Sequence, residues 1–160
     1  MNQVMLKDEF IHFTLSIIAG VIVGYFFNNW WAVPVALISG FFIDSDHLID
    51  YHLYSRAKFN LAEFKSGEYF NKSGKVYVFA HGYEFAIILT IFGFALPGLS
   101  WFFFSLALSN FLHLFYDTIS NKPIWLTYFL TFRIAKNFNH KSFEFKRKWE
   151  TRLNQKTWKK

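Results

Sequence analysis

The sequence predicts an all-α integral membrane protein: a four-helix membrane bundle followed by an interfacial C-terminal helix. Three observations predict it. The 160 residues are 53% hydrophobic and 23% aromatic, with 23 phenylalanines, a load of rings that a small domain cannot bury from water and a bilayer can solvate. The apolar residues gather in stretches of membrane length joined by short turns. The positive charges gather in segments that four crossings would bring to one side.

The first stretch, residues 10–27, is apolar apart from His12, Thr14 and Ser16. At 1.5 Å per residue it reaches about 27 Å, enough to span. It has neither the basic start nor the small-residue cleavage site of a secretory signal, so it is expected to stay in the mature chain. Residues 30–43 are short for a span and contain Pro34 and Gly40. They reach membrane length only by continuing through Asp44-Ser45-Asp46-His47-Leu48-Ile49-Asp50. Residues 76–96 and 99–119 are two longer spans, and the Pro97-Gly98 turn between them makes an antiparallel hairpin. Residues 123–138 are apolar but too short to cross, and Arg133 and Lys136 interrupt them. They read as an interfacial or re-entrant helix, with Arg133 foremost snorkelling to lipid and, as the alternative, binding a substrate phosphate. Residues 1–138 form the membrane-embedded domain and residues 139–160 a basic tail.

Charge sets the expected orientation. Of the 17 Lys and Arg, Lys7 precedes the first span, five lie between Arg56 and Lys75, and eleven lie from Lys122 onward. The Asn28-Asn29 and Pro97-Gly98 turns have none. Four spans place all the charged segments on one side, and the positive-inside rule makes both termini cytoplasmic. Three spans break the pattern. The net charge of +6 is thereby accounted for beside the membrane, so the expected partners are the bilayer and its anionic headgroups rather than nucleic acid. The absence of cysteine removes disulfides, thiolate ligands, iron–sulfur clusters and cysteine nucleophiles.

Ionisable residues within apolar spans are costly and mark function. Here they are His12, Asp44, Asp46, His47, Asp50, His81, Glu84, His113 and Asp117. In the four-span topology all nine fall in one layer at the cytoplasmic edge. His81 and Glu84 are i, i+3 and His113 and Asp117 are i, i+4, so each pair shares a helix face. Five carboxylates packed at low dielectric repel each other or take up protons, and a divalent cation removes that difficulty. Mixed imidazole and carboxylate donors suit Zn, Mn or Fe, with Zn or Mn foremost. Nine donors exceed one tetrahedral zinc shell, so either two ions share the site or some residues orient others. The candidate ligands are His12, Asp44, Asp46, His47, His81, Glu84, His113 and Asp117, with Glu84 and Asp50 the candidate catalytic groups. Blander roles go to His52 and His140, read as solvated, to Glu63 and Glu68, read as surface loop, and to Asn110, read as a helix–helix hydrogen bond.

The order His12, Asp44-x-Asp46-His47, His81-x-x-Glu84, His113-x-x-x-Asp117 resembles the inner-membrane metal-dependent hydrolase family of bacteria and archaea called YdjM-like or DUF457. Ile43 stands where that family's second motif has Pro, and Glu84 stands near the place of a second His. The resemblance covers roughly residues 10 to 138. It implies metal-dependent hydrolysis in a bacterial or archaeal inner membrane. With the site at headgroup depth, the expected substrate is a phosphoester or lipid headgroup. The alternative is a noncatalytic metal-binding membrane protein, a transporter or a sensor. A di-iron oxidase fits poorly, because its His-x-x-x-His and His-x-x-His-His runs are absent. A scaffold with a structural metal is the remaining reading.

Overall fold

The structure is a computed structural model that describes residues 3–55, 59–66, 68–121 and 124–143. The expected tail lies outside the described residues from 144 on. The described residues are helical, with one isolated bridge between Lys75 and Asn139 and no strand. The helices are α1 (Gln3–Phe27), α2 (Ala32–Gly40), α3 (Asp46–Ser55), α4 (Leu61–Ser66), α5 (Glu68–Ser73), α6 (Tyr83–Ala95), α7 (Ser100–Asn121) and α8 (Leu130–Ala135).

Two helical stretches, Lys7–Phe27 and Pro97–Asn121, are long and apolar enough to cross a membrane. A third candidate is the broken pair Ala32–Gly40 and Phe42–Ser55, bent by 40°. The apolar helix α6 is shorter than a full span. Helices α1 and α2 form one hairpin, turned at Asn28 in the left-handed region (φ 50°) and tied by Asn29, whose side-chain oxygen accepts the Trp31 N–H. Helices α6 and α7 form the other, closed by the Ser100 hydroxyl donating to the Gly93 carbonyl at 2.7 Å. Helix α7 packs against α1, α2 and α6 and is the centre of the bundle.

The bundle is apolar outside and small or polar inside. Phe10, Phe26, Trp31, Ile87, Phe94 and Phe115 are exposed, whereas Ser16, Ala19, Ala32, Ala36, Gly40, Ser105, Ala107 and Ser109 are buried. Lipid offers apolar side chains no reason to turn inward, so helices in a bilayer associate through small residues that let backbones approach. Gly20 makes this concrete: a Cβ there would lie 2.5 Å from Val33 Cα and 3.0 Å from the Ala32 carbonyl oxygen. At Gly40 a Cβ would collide with the hydroxyls of Ser109 on α7 and Ser16 on α1.

Two expected elements differ. The expected helix over 76–96 begins only at Tyr83, because residues 76–82 are a non-helical strap with a turn at 79–80, several of whose backbone groups bond to other elements. The expected continuous helix through Asp44 breaks after Gly40, passes through a 3-10 turn at Phe42–Ser45, and resumes as α3. Beyond α3, Tyr51, Tyr69, Phe70, Val76, Val78 and Phe143 form an aromatic core, with Tyr54, Phe64 and Phe132 against it. The folded body therefore runs past residue 138 to Phe143, which is fully buried. Glu63 is not a bare surface acid. It accepts the Tyr51 hydroxyl at 3.0 Å and the Tyr54 hydroxyl at 3.3 Å, and pairs with Lys72, whose hydrogen bond, with that from Tyr51, holds its carboxyl below the ordinary range. The side chain of Glu68 lies outside the described residues.

Gly20→Ala is expected to lower the stability of the detergent-solubilised protein by about 1–3 kcal/mol, because backbone must move to admit the methyl. Gly98→Ala, which meets nothing within 4 Å, is expected to stay within about 0.5 kcal/mol. Thermal unfolding of the two variants side by side checks the contrast.

Candidate metal centre

The cluster is built from the break in α2 outward. In a continuous helix the Gly40 carbonyl would be needed by the backbone ladder. Here it lies at the break and accepts a hydrogen bond from His113 Nδ1 at 2.6 Å. That bond places the ring proton on Nδ1, so a neutral His113 turns the lone pair of Nε2 inward. Nε2 is buried, has no hydrogen-bond partner, and lies 3.5 Å from both Asp44 Oδ1 and Asp117 Oδ2. A lone pair facing two carboxylates is an arrangement that a metal cation, or a proton on Nε2, resolves.

Two groups of side chains can hold a metal ion, each with donor atoms all within 4.8 Å of one another. The first is His12, His113 and Asp117. His12 Nε2 lies 3.3 Å from Asp117 Oδ1, and the His12 and His113 rings stack at 3.8 Å. The second is Asp44, His47 and His81. Asp44 Oδ1 lies 3.0 Å from His81 Nε2 and 3.8 Å from His47 Nε2. Two donors held by one ion at about 2.1 Å in a tetrahedron are about 3.4 Å apart, and the spacings in both groups bracket that value.

Further residues orient these ligands. Asp46 stands behind His81, with its carboxylate 3.1 Å from Nδ1, and also accepts the Ala80 N–H at 2.9 Å. This is the carboxylate–histidine pairing that fixes the tautomer of a metal ligand. The Tyr69 hydroxyl lies 3.3 Å from His47 Nδ1 and sets that ring. Asp46 is therefore a support in this geometry rather than a member of either triad.

The strap that presents His81 is held by side chains from elsewhere. Asp50 accepts the Tyr77 N–H at 3.2 Å. Arg133 is fully buried at 1% exposure and donates to the carbonyls of Tyr77 (2.9 Å), Val78 (2.6 Å) and His81 (2.6 Å). Burial draws its pKa down to about 10, against the pull of Asp46 and Glu84, so it remains a cation at neutral pH. Val78 sits at φ 24°, a conformation that a β-branched residue adopts only when its surroundings impose it.

The geometry relocates three expectations. Glu84 was expected beside His81 as ligand or base. It accepts instead the N–H groups of Leu130 and Thr131, both at 2.9 Å, and the Thr131 hydroxyl at 2.7 Å, capping the start of α8. The pair does not share a helix face because His81 precedes the helix. Asp50, expected to be catalytic, is buried as an acceptor for the strap. Arg133, expected to snorkel, is the strap's internal anchor. Asn110 is buried, and its side-chain oxygen has no hydrogen-bond partner, so the expected helix–helix bond from that atom is not formed.

The sequence reading overlooked Glu9. It lies one turn before His12 on α1. Its i, i+3 spacing from His12 was the available signal. Comparison with protein-family models, curated proteins and solved structures finds no match to this chain.

Arg133→Met strips three carbonyls, two of them buried, of a charged donor and is expected to cost on the order of 3 kcal/mol. Amide exchange at Tyr77 and Ala80 should accelerate while α1 keeps its protection. Arg133→Lys restores the charge without the fork and should rescue little. Hydrogen exchange read by mass spectrometry checks both.

Proposed function

We propose that the protein is a membrane-embedded, metal-dependent hydrolase acting on a phosphoester, foremost a lipid headgroup at the cytoplasmic face. The observation that carries the reading is the buried, unpartnered His113 Nε2 facing two carboxylates between the helices. Two ions, zinc or manganese, suit the donor sets and relieve the charge of the packed acids. A bound metal supplies Lewis acidity to a phosphoryl group and lowers the pKa of a water toward neutrality. The chain's own residues hold and aim the donors: Gly40 fixes His113, Asp46 fixes His81 and Tyr69 fixes His47. Glu9 belongs to neither triad and, as the carboxylate beside the cluster, serves as the proton acceptor.

In this reading the four apolar helical regions all cross the membrane, α6 completing its crossing with the residues around it. Both termini are cytoplasmic, and the basic tail lies on anionic lipid. The apolar exterior and the single layer of ionisable residues support that topology. The chemistry proposed is the one that the expected resemblance of His12, Asp44-x-Asp46-His47 and His113-x-x-x-Asp117 to the YdjM-like hydrolases implies.

Purified protein supplied with zinc or manganese is expected to release headgroup from phospholipid, and a chelator should stop it. The double variant Asp44→Ala, His113→Ala should lose both metal and turnover. If the metal-loaded protein turns over no phospholipid or phosphoester, the substrate assignment is wrong. Glu9→Gln should retain the metal content of the parent while kcat falls on the order of a hundredfold; unchanged kcat would remove Glu9 from the chemistry.

A further inference from the structure

We infer that the two metal positions are unequal: His12, His113 and Asp117 form a retained position, while Asp44, His47 and His81 form an exchangeable position that meets water and substrate. The inference rests on the metal-centre reading of this cluster, and it does not depend on which bond is hydrolysed.

Burial separates the two groups. The side chains of His12, His113 and Asp117 are 6%, 1% and 12% exposed, whereas those of Asp44 and His47 are 24% and 30% exposed, with His81, at 3%, the one buried donor of the second group. The first group looks into the helix bundle and the second opens at its edge.

The supporting backbone separates them again. His12 and Asp117 sit on two long helices packed against each other, and His113 is one turn before Asp117 on the same helix. Every ligand of the second group sits where helix is interrupted or just begun. Asp44 is in the 3-10 turn, His47 is in the first turn of α3, and His81 is on the strap ahead of α6. The first set is fixed by continuous ladders of backbone hydrogen bonds, while the second can shift as a ligand arrives or leaves.

Asp44 Oδ1 lies 3.5 Å from His113 Nε2 as well as 3.0 Å from His81 Nε2, so the two groups of three donors meet at its carboxylate. Three protein donors and a water make an open shell, and Asp44 and His47 put the second group where water reaches it. The independent sign that the buried position takes a ligand is His113 Nε2, which is aimed into it with no hydrogen-bond partner.

The test uses the full-length protein in detergent, with zinc alone as the probe and bound metal counted by elemental analysis. At saturation two ions per chain are expected. On dialysis against a chelator one should leave at a rate more than about tenfold faster than the other. His47→Ala should abolish only the fast phase and His12→Gln only the slow one; the release kinetics of the unsubstituted protein stand even where a variant fails to fold. A single ion at saturation, release in one phase, or loss of the same phase in both variants would overturn the partition. Two phases in a protein that hydrolyses nothing would uphold the partition while removing the hydrolase. A protein that takes up no zinc would remove the metal centre and the partition with it.

Discussion

The hydrogen bond from His113 to the Gly40 carbonyl is the interaction on which the rest of the centre depends. It joins the central helix to the break in α2 at a point where only glycine fits between Ser16 and Ser109. By occupying that carbonyl it accompanies the end of one helical ladder and the start of the turn that carries Asp44. By using Nδ1 it leaves Nε2 to face Asp44 and Asp117. One contact thus links a packing feature, a backbone interruption and the orientation of a ligand. A buried imidazole with no fixed tautomer would aim at nothing in particular.

Around this point the protein works as two tiers with different physics. The bundle of α1, α2, α6 and α7 keeps its apolar side chains outward and its small residues inward, the pattern suited to lipid. The tier beyond α3 gathers Tyr51, Tyr69, Phe70, Val76, Val78 and Phe143 into a conventional apolar core. The cluster lies where the tiers meet, and it draws ligands or supports from both: His12, His113 and Asp117 from the bundle, His47's partner Tyr69 and the His81 strap from the second tier. The strap is held by side chains rather than by a neighbouring strand. Asp46 and Asp50 receive its N–H groups, and Arg133 bonds to its carbonyls.

The helical class and the members of the cluster were legible because each polar residue stood out against an apolar stretch. Spacing alone placed His113 and Asp117 correctly on one helix face. It failed for His81 and Glu84, because i, i+3 means a shared face only inside a helix and α6 starts after His81. Gly82 at the N-cap and Glu84 in the first turn mark that start locally, but the residues before it are as apolar as those after, and the Arg133 that bonds to them is distant in sequence. Glu84 and Asp50 looked chemical for the same reason that His12 did, being acids in apolar surroundings. Their actual partners are backbone N–H groups of remote segments, which no local pattern displays. Conversely, Glu9 was hidden among polar residues at the start of α1, where an acid attracts no notice.

Arg133 has a consequence for how the protein is made. It reaches back to the His81 carbonyl across 52 residues of chain. While the polypeptide is being synthesised, α1, α2, α6 and α7 all leave the ribosome before the residue that fastens the strap. A chain that stops short of α8 carries His81 on a segment without the three hydrogen bonds that Arg133 supplies, so the placement of that side chain is completed by one of the last described elements in chain order.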